Sequence, residues 1–325
     1  MYDVNKRPRI VAGVDFSAAS IAAVRWVAKL FGSDSDIVLA HALVVPEIRG
    51  ILANKYPLPG SLLANARTGA QRRLEEVRKA LGLGDLTKEV REGRPADVIA
   101  DIARACAADL IVVGKHGEAG PLRGYTGRTA DALVRAAPAP ILLASGTMLN
   151  RPQKILVPVT YSSVTPFVID WARRIHETSN AEIVIIHIVG SAVLSHVLSM
   201  SSVTIGEPPN ASEIDEVFSE DRDRWTEEFV AAGIPANCIT SEVVFGEVSG
   251  AVLVAAACHR ADLIVMGSHA GPLRRLLLGS AASAVLREAD IPVLVVVEAD
   301  QPIHVTEELT DRVREPALLA QGWEI

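Results

Sequence analysis

The sequence repeats itself, and that duplication restricts its fold more than any other feature. Arg9 to Ser17 reads RIVAGVDFS and Lys154 to Ser162 reads KILVPVTYS, and the same interval carries Trp26 onto Trp171. Ile37 to Leu43 (IVLAHAL) answers Ile183 to Val189 (IVIIHIV), which aligns His41 with His187. Ala108 to Gly114 (ADLIVVG) answers Ala261 to Gly267 (ADLIVMG), and a Gly-rich loop, a helical stretch and a Pro-led apolar strand follow each. Those last strands are PILLAS from Pro140 and PVLVVV from Pro292. A self-similar chain is built from like units, so one copy's pattern predicts the other's. Each copy reads β-α-β-α-β-α-β-α-β.

Near-continuous apolar strands separated by helical stretches require βαβ crossovers, hence parallel sheets covered on both faces. A hydrophobic fraction of 49% with 4% aromatics fits a core of Val, Ile, Leu and Ala. The 325 residues suffice for two such domains, each with its own core. The expected architecture is α/β: two tandem doubly wound parallel five-stranded sheets in residues 1–148 and 149–299, with 300–325 as a C-terminal extension outside both repeats. Ser145 to Gln153 is a short polar linker holding Gly146 and Pro152, so the domains are expected to pack together. Pro46 to Ala66 and Ser191 to Ala211 lack a clean period and are expected to be long loops, a common form of ligand lid.

A net charge of −7 without a Lys/Arg block argues against a nucleic-acid partner. No segment approaches the roughly 20 apolar residues of a membrane span, so a cytoplasmic protein is expected. Cys106, Cys238 and Cys258 have no metal-ligand spacing and are expected to be reduced and structural.

In a doubly wound sheet, ligands bind outside the carboxyl ends of the strands, where strand order reverses. The first loop there holds Gly13, Val14, Asp15, Phe16 and Ser17. Ser17 is placed to cap the next helix. Asp15 either assists that cap or accepts a hydrogen bond from a ligand such as an adenine amino group. The loop after the fourth strand runs Gly114, Lys115, His116, Gly117, nine residues, then Gly127, Arg128 and Thr129. Glycines after a buried strand let backbone amides approach an anion at a helix N-terminus. No Gly-Lys-Ser/Thr triplet closes this loop, and it is not GxGxxG.

Asp15 with Gly114, Gly117 and Gly127 resembles the motif of the ATP-binding universal stress proteins: an acid ending the first strand, then Gly, two residues, Gly, nine residues, Gly-Ser or Gly-Thr. The resemblance runs from Arg9 to about Glu298 and implies an adenine nucleotide α-hydrolase-like fold with the halves related by a pseudo-two-fold axis. By position it implies Gly13 and Asp15 at the adenine end, with Ala42 and Val113 flanking the base. It places Gly114, His116, Gly117, Gly127, Arg128 and Thr129 at the ribose and phosphates. Arg128 stands where the family has Ser or Thr; it either pairs with phosphate through its planar fork or fills the phosphate space.

In repeat two the resemblance matches Pro158, Ile188, Met266, Gly267, His269, Gly279 and Ser280. There Thr160 replaces the acid, Ala270 replaces the second glycine, and only eight residues separate Ala270 from Gly279. The base half of the motif is thus better kept in repeat one and the phosphate half in repeat two.

His116 and His269 lack a nucleophile or carboxylate partner visible in sequence and are read as loop-positioning residues. His41 and His187 lie on apolar strands and are read as satisfied core or rim residues. Gln71 to Lys79 is expected to be an amphipathic helix, and Glu213 to Glu228 mostly a polar helix face. The function expected is non-catalytic binding of ATP, AMP or another adenine nucleotide in a stress-response or regulatory protein. The alternative is an interaction scaffold that has lost nucleotide binding; slow ATP hydrolysis comes third, since no residue is visibly placed to hold Mg²⁺. Homodimerisation and a protein partner are left open. The final strands, Pro140 to Ala144 and Pro292 to Val297, are expected at sheet edges, meeting across the repeats.

Overall fold

The computed structural model describes residues 8–32, 35–44, 60–84, 86–115, 128–136, 138–145, 150–190, 195, 216, 218–268 and 279–297. The chain divides into two compact units between Arg151 and Pro152. In the first, the order is β1 (Arg9–Gly13), α1 (Ala18–Phe31), β2 (Asp36–Leu43), α2 (Gly60–Ala80), β3 (Thr87–Glu92), α3 (Pro95–Ala105), β4 (Leu110–Gly114), α4 (Arg128–Ala136) and β5 (Ile141–Ala144). The second repeats it: β6 (Lys154–Val159), α5 (Thr165–Ser179), β7 (Glu182–Val189), α6 (Ser219–Ala231), β8 (Ile239–Phe245), α7 (Val248–His259), β9 (Leu263–Gly267), α8 (Ser280–Glu288) and β10 (Val293–Val296).

Within the units the strand orders are β3-β2-β1-β4-β5 and β8-β7-β6-β9-β10, with every described pairing parallel. The central strands are aliphatic on both faces: Ile10, Val11, Leu110, Ile111 and Val112 in one sheet, and Ile155, Leu156, Val157, Leu263 and Ile264 in the other, are at most 1% exposed. The duplicated tryptophans each anchor the helix after the first strand. Trp26 on α1 is buried and donates to the Asn150 carbonyl at 2.8 Å, and Trp171 on α5 is buried at the matching place.

Local signals set the helix ends. Ser17 Oγ accepts from the Ser20 amide at 3.2 Å and starts α1. Glu247 accepts from the Ser249 and Gly250 amides at 3.0 and 2.9 Å and starts α7. Gly93 and Gly246 turn the chain from β3 into α3 and from β8 into α7 with φ of 143° and 140°, values that glycine adopts without strain.

Three expectations need correction. The loop expected over Pro46 to Ala66 is already helical from Gly60, because Leu, Ala and Arg carry helix propensity without an apolar stripe; its earlier part lies outside the described residues, as does Ser191 to Ala211 apart from Ser195. The polar helix expected over Glu213 to Glu228 buries Trp225, Glu228 and Phe229. All three cysteines are free, but Cys258 is exposed rather than packed inside.

Candidate functional site

The strand order reverses between β1 and β4 and between β6 and β9, so each unit has its topological switch point at the carboxyl ends of those strands. Gly13 pairs in register with Ala40, and Ala42, two residues on, projects from the same sheet face. A Cβ on Gly13 would stand 2.9 Å from Val113 Cγ1 and 2.7 Å from Ile99 Cδ1. Gly13, Ala42 and Val113 therefore share one face of the sheet. The same distances give Gly13 a packing reason of its own. Gly114 likewise sits against the start of α1, where a Cβ would come within 3.0 Å of the Ser20 amide nitrogen.

Asp15 lies exposed at the end of β1. Its Oδ1 accepts from the Ser17 amide at 3.0 Å and from Ser17 Oγ at 2.6 Å, so it does support the helix cap. Oδ2 takes no hydrogen bond among the described residues. Partial burial pushes the carboxyl up, but hydrogen bonds from Ser17 and Ser20 outweigh this and leave its pKa below the usual value. Asp15 is thus ionised at neutral pH with one oxygen uncommitted. Ser20, which steadies it, carries no signal in sequence.

Phe16 holds a left-handed φ of 65°, a genuine outlier for a bulky residue. Its ring packs 4.6 Å from His41, and the Arg73 guanidinium lies 3.9 Å from its centroid. His41 is satisfied, with Nδ1 2.6 Å from the Val14 carbonyl. His41 and Ala42 are successive strand residues, so this stack lies on the opposite face from Gly13, Ala42 and Val113.

Repeat two departs at the same corner. Pro158 and Thr160 replace Gly13 and Asp15, and the Thr160 carbonyl accepts from Thr165 Oγ1 at 2.5 Å. Tyr161, the counterpart of Phe16, donates to Asp221 at 2.5 Å and packs 4.9 Å from the Trp225 ring. Burial, then the Asp221 hydrogen bond and charge, push the Tyr161 phenol far above its ordinary value. His187 Nδ1 and Trp225 Nε1 are buried without a hydrogen-bond partner among the described residues, which corrects the expectation of a satisfied His187. Burial pushes the His187 pKa down, while the Asp221 charge and the Val159 carbonyl pull the other way. The partners Arg73 and Trp225 were readable only as helix-face residues.

In the helices that follow the fourth strands, α4 begins at Arg128 and Thr129, and α8 begins at Ser280 after Gly279. Met266 and Gly267 end β9 beside α5, where a Cβ on Gly267 would meet Val164 Cγ1 at 3.2 Å. Ile188 lies half-buried on β7. His116, Gly117, Gly127 and His269 lie outside the described residues, as does the Arg128 side chain. A cavity of about 1000 Å³ opens at the other end of the first sheet, among Arg9, Asp36, Thr87, Gly82 and Cys106. Those residues lie at the amino ends of the strands, away from the switch point. Among the described residues no His, Cys, Asp or Glu cluster could hold a metal, and no helix is long and apolar enough to cross a membrane.

The fold and its two switch points define a tandem, doubly wound α/β protein. The model of the Universal stress protein family matches residues 6–145 and again 152–297, and the chain belongs to that family. A universal stress protein of Mycolicibacterium smegmatis is 24% identical over 307 residues, covering 88% of this chain and 96% of that one. The crystal structure of a universal stress protein from Archaeoglobus fulgidus superposes with a TM-score of 0.63 at 17% identity, covering 90% of this chain and 97% of that one. A smaller universal stress protein, solved in complex with cAMP, covers 43% of this chain and 98% of its own at 22% identity, with a TM-score of 0.30.

Proposed function

We propose that the chain binds an adenine nucleotide such as ATP or AMP at the switch point of repeat one, and acts as a non-catalytic stress-response or regulatory protein. The observation that carries this is Asp15: an ionised carboxylate, exposed, with Oδ2 uncommitted. It follows by two residues Gly13, which shares a sheet face with Ala42 and Val113. A charged acceptor forms a stronger hydrogen bond to an amino group or a ribose hydroxyl than a neutral one does. The N-terminus of α4 would then face the phosphates, as helix N-termini favour anions. His116, Gly117, Gly127, Arg128 and Thr129 belong to that half of the site by resemblance. Repeat two offers Thr160 in place of the acid, with Pro158 where repeat one has the small Gly13. Its site is proposed to be weaker.

Calorimetric titration of nucleotide-stripped protein with ATP and AMP tests this reading. Asp15→Ala is expected to lose about 1.5–3 kcal/mol of binding free energy, the scale of hydrogen bonds to charged groups. Thr160→Ala is expected to lose less than about 0.5 kcal/mol, as for a substitution away from the binding contacts. Absence of binding by the unmodified protein at millimolar nucleotide refutes the proposal.

The scaffold reading is favoured by one observation: Gly13, Gly114 and Gly267 are each explained by close packing without any ligand. Bound nucleotide in protein purified under native conditions would decide against it.

A further inference from the structure

The outer edges of the two sheets descend from the same strand and helix, and they have diverged in one direction. Gly93 and Gly246 share a backbone turn, which aligns β3–α3 with β8–α7 residue by residue. In repeat one the strand carries Lys88, Arg91 and Glu92, and the helix presents Asp97, Asp101 and Arg104 outward. Lys88 pairs with Glu75 at 2.6 Å, Arg67 with Glu92 at 3.3 Å, and Asp101 with Arg104 at 2.8 Å. Charges of this kind keep an edge strand from pairing with another chain.

In repeat two the six positions hold Ser241, Val244, Phe245, Gly250, Val254 and Ala257. No charge remains at any of them. Val254 is 62% exposed and Val248 40%, while Val230 on the neighbouring α6 is 42% exposed. Helix α7 is apolar on every side (VSGAVLVAAACH), the pattern of a helix buried all round, yet Gly250, Val254, Ala257 and Cys258 face solvent. Strand β8 ends its sheet with no second strand partner among the described residues. The one charge retained within the strand, Glu242, is turned to His259 Nε2 at 3.0 Å.

We infer that the β8 edge, with the outer side of α7 and Val230 of α6, is a self-association surface whose occupant is the same edge of a second copy of this chain. A free strand edge is self-complementary under a two-fold axis, because antiparallel pairing satisfies both ladders at once. The footprint is of the right size. A strand of seven residues is about 23 Å long, and a sheet flanked by helices is roughly 25 Å thick, giving about 600 Å² per copy, the lower end of stable interfaces. The surface lies away from the switch point, so self-association is independent of nucleotide binding.

Sedimentation velocity of the full chain from about 1 to 100 μM is expected to show a monomer–dimer equilibrium in this range, typical of modest interfaces. Val254→Asp and Val244→Arg restore the residues that repeat one holds at those positions. Each is expected to weaken association at least about tenfold, since two-fold symmetry places the buried charge in the interface twice. Val254 is exposed enough that its substitution leaves the core intact, so it decides the matter if Val244→Arg fails to fold. Amide exchange across β8 is expected to slow as concentration rises. A monomeric wild type throughout the range overturns the inference. So does a dimer that Val254→Asp leaves unchanged, or one whose formation leaves β8 exchange unaltered.

Discussion

At the corner after its first strand, repeat one exposes a charged acceptor, Asp15, whereas repeat two exposes the neutral Thr160 beside a Tyr161 tied to Asp221 and Trp225. Asp15 is held ionised by Ser17 and Ser20 and keeps one oxygen available. At the matching corner Thr160 is neutral, and Tyr161 turns to Asp221 and Trp225. The two corners also differ in backbone: Phe16 holds a left-handed φ of 65°, and its counterpart Tyr161 does not. A motif search sees a lost acid in repeat two; the structure shows an internal aromatic cluster beside its place.

The largest expected effect breaks the repeat-two corner from inside. Trp225 is 1% exposed and packs on Tyr161 and His187, so Trp225→Ala should destabilise its unit by about 3–5 kcal/mol. Differential scanning calorimetry would register this as a lowered melting transition. A change under about 1 kcal/mol would show that the cluster is loosely packed.

The next effect sharpens the contrast between the glycines that end β4 and β9. Gly114→Ala sets a methyl 3.0 Å from a backbone nitrogen that cannot retreat, whereas Gly267→Ala meets a valine side chain at 3.2 Å. The first is expected to cost about 1–3 kcal/mol and the second under about 1 kcal/mol by chemical denaturation. Equal costs would mean that the start of α1 yields as readily as a side chain.

The smallest effect concerns His187. Burial holds its native pKa below the unfolded value near 6.5. Below that unfolded pKa the unfolded chain takes up a proton that the native imidazole refuses, so stability falls with acidification and rises as pH is raised through this window. Stability of the unmodified protein should therefore drop between about pH 7.5 and pH 5.5. His187→Phe should flatten that slope in thermal melts, and an unaltered slope would move its origin to other groups.

Much of this architecture was legible in the sequence because apolar strands and their spacing are backbone-scale signals. RIVAG and KILVPV announced the two β1-type strands, and Ser17 announced its cap. The site was legible in its residue types but not in their reasons. Gly114 reads as a glycine for an anion, while the structure finds α1 pressed against it. The positive φ of Phe16 is invisible in sequence; it accompanies the packing of His41 and Arg73 around its ring, contacts between residues far apart in the chain. Trp225 was hidden in a run dominated by charge (SEDRDRWTEEF), where burial depends on which side of α6 meets the sheet.

The shared turn at Gly93 and Gly246 has a consequence for how such a chain can change. Both corners bend alike, so the strand and helix on either side form an exchangeable cassette with standard joints. Grafting residues 87–105 in place of 240–258 would change what the rim displays and would also set Val98 and Ile102 where the second core holds Ala251 and Ala255. Each cassette thus carries the charge of its rim and part of the volume of its core together, so a change in one is felt in the other.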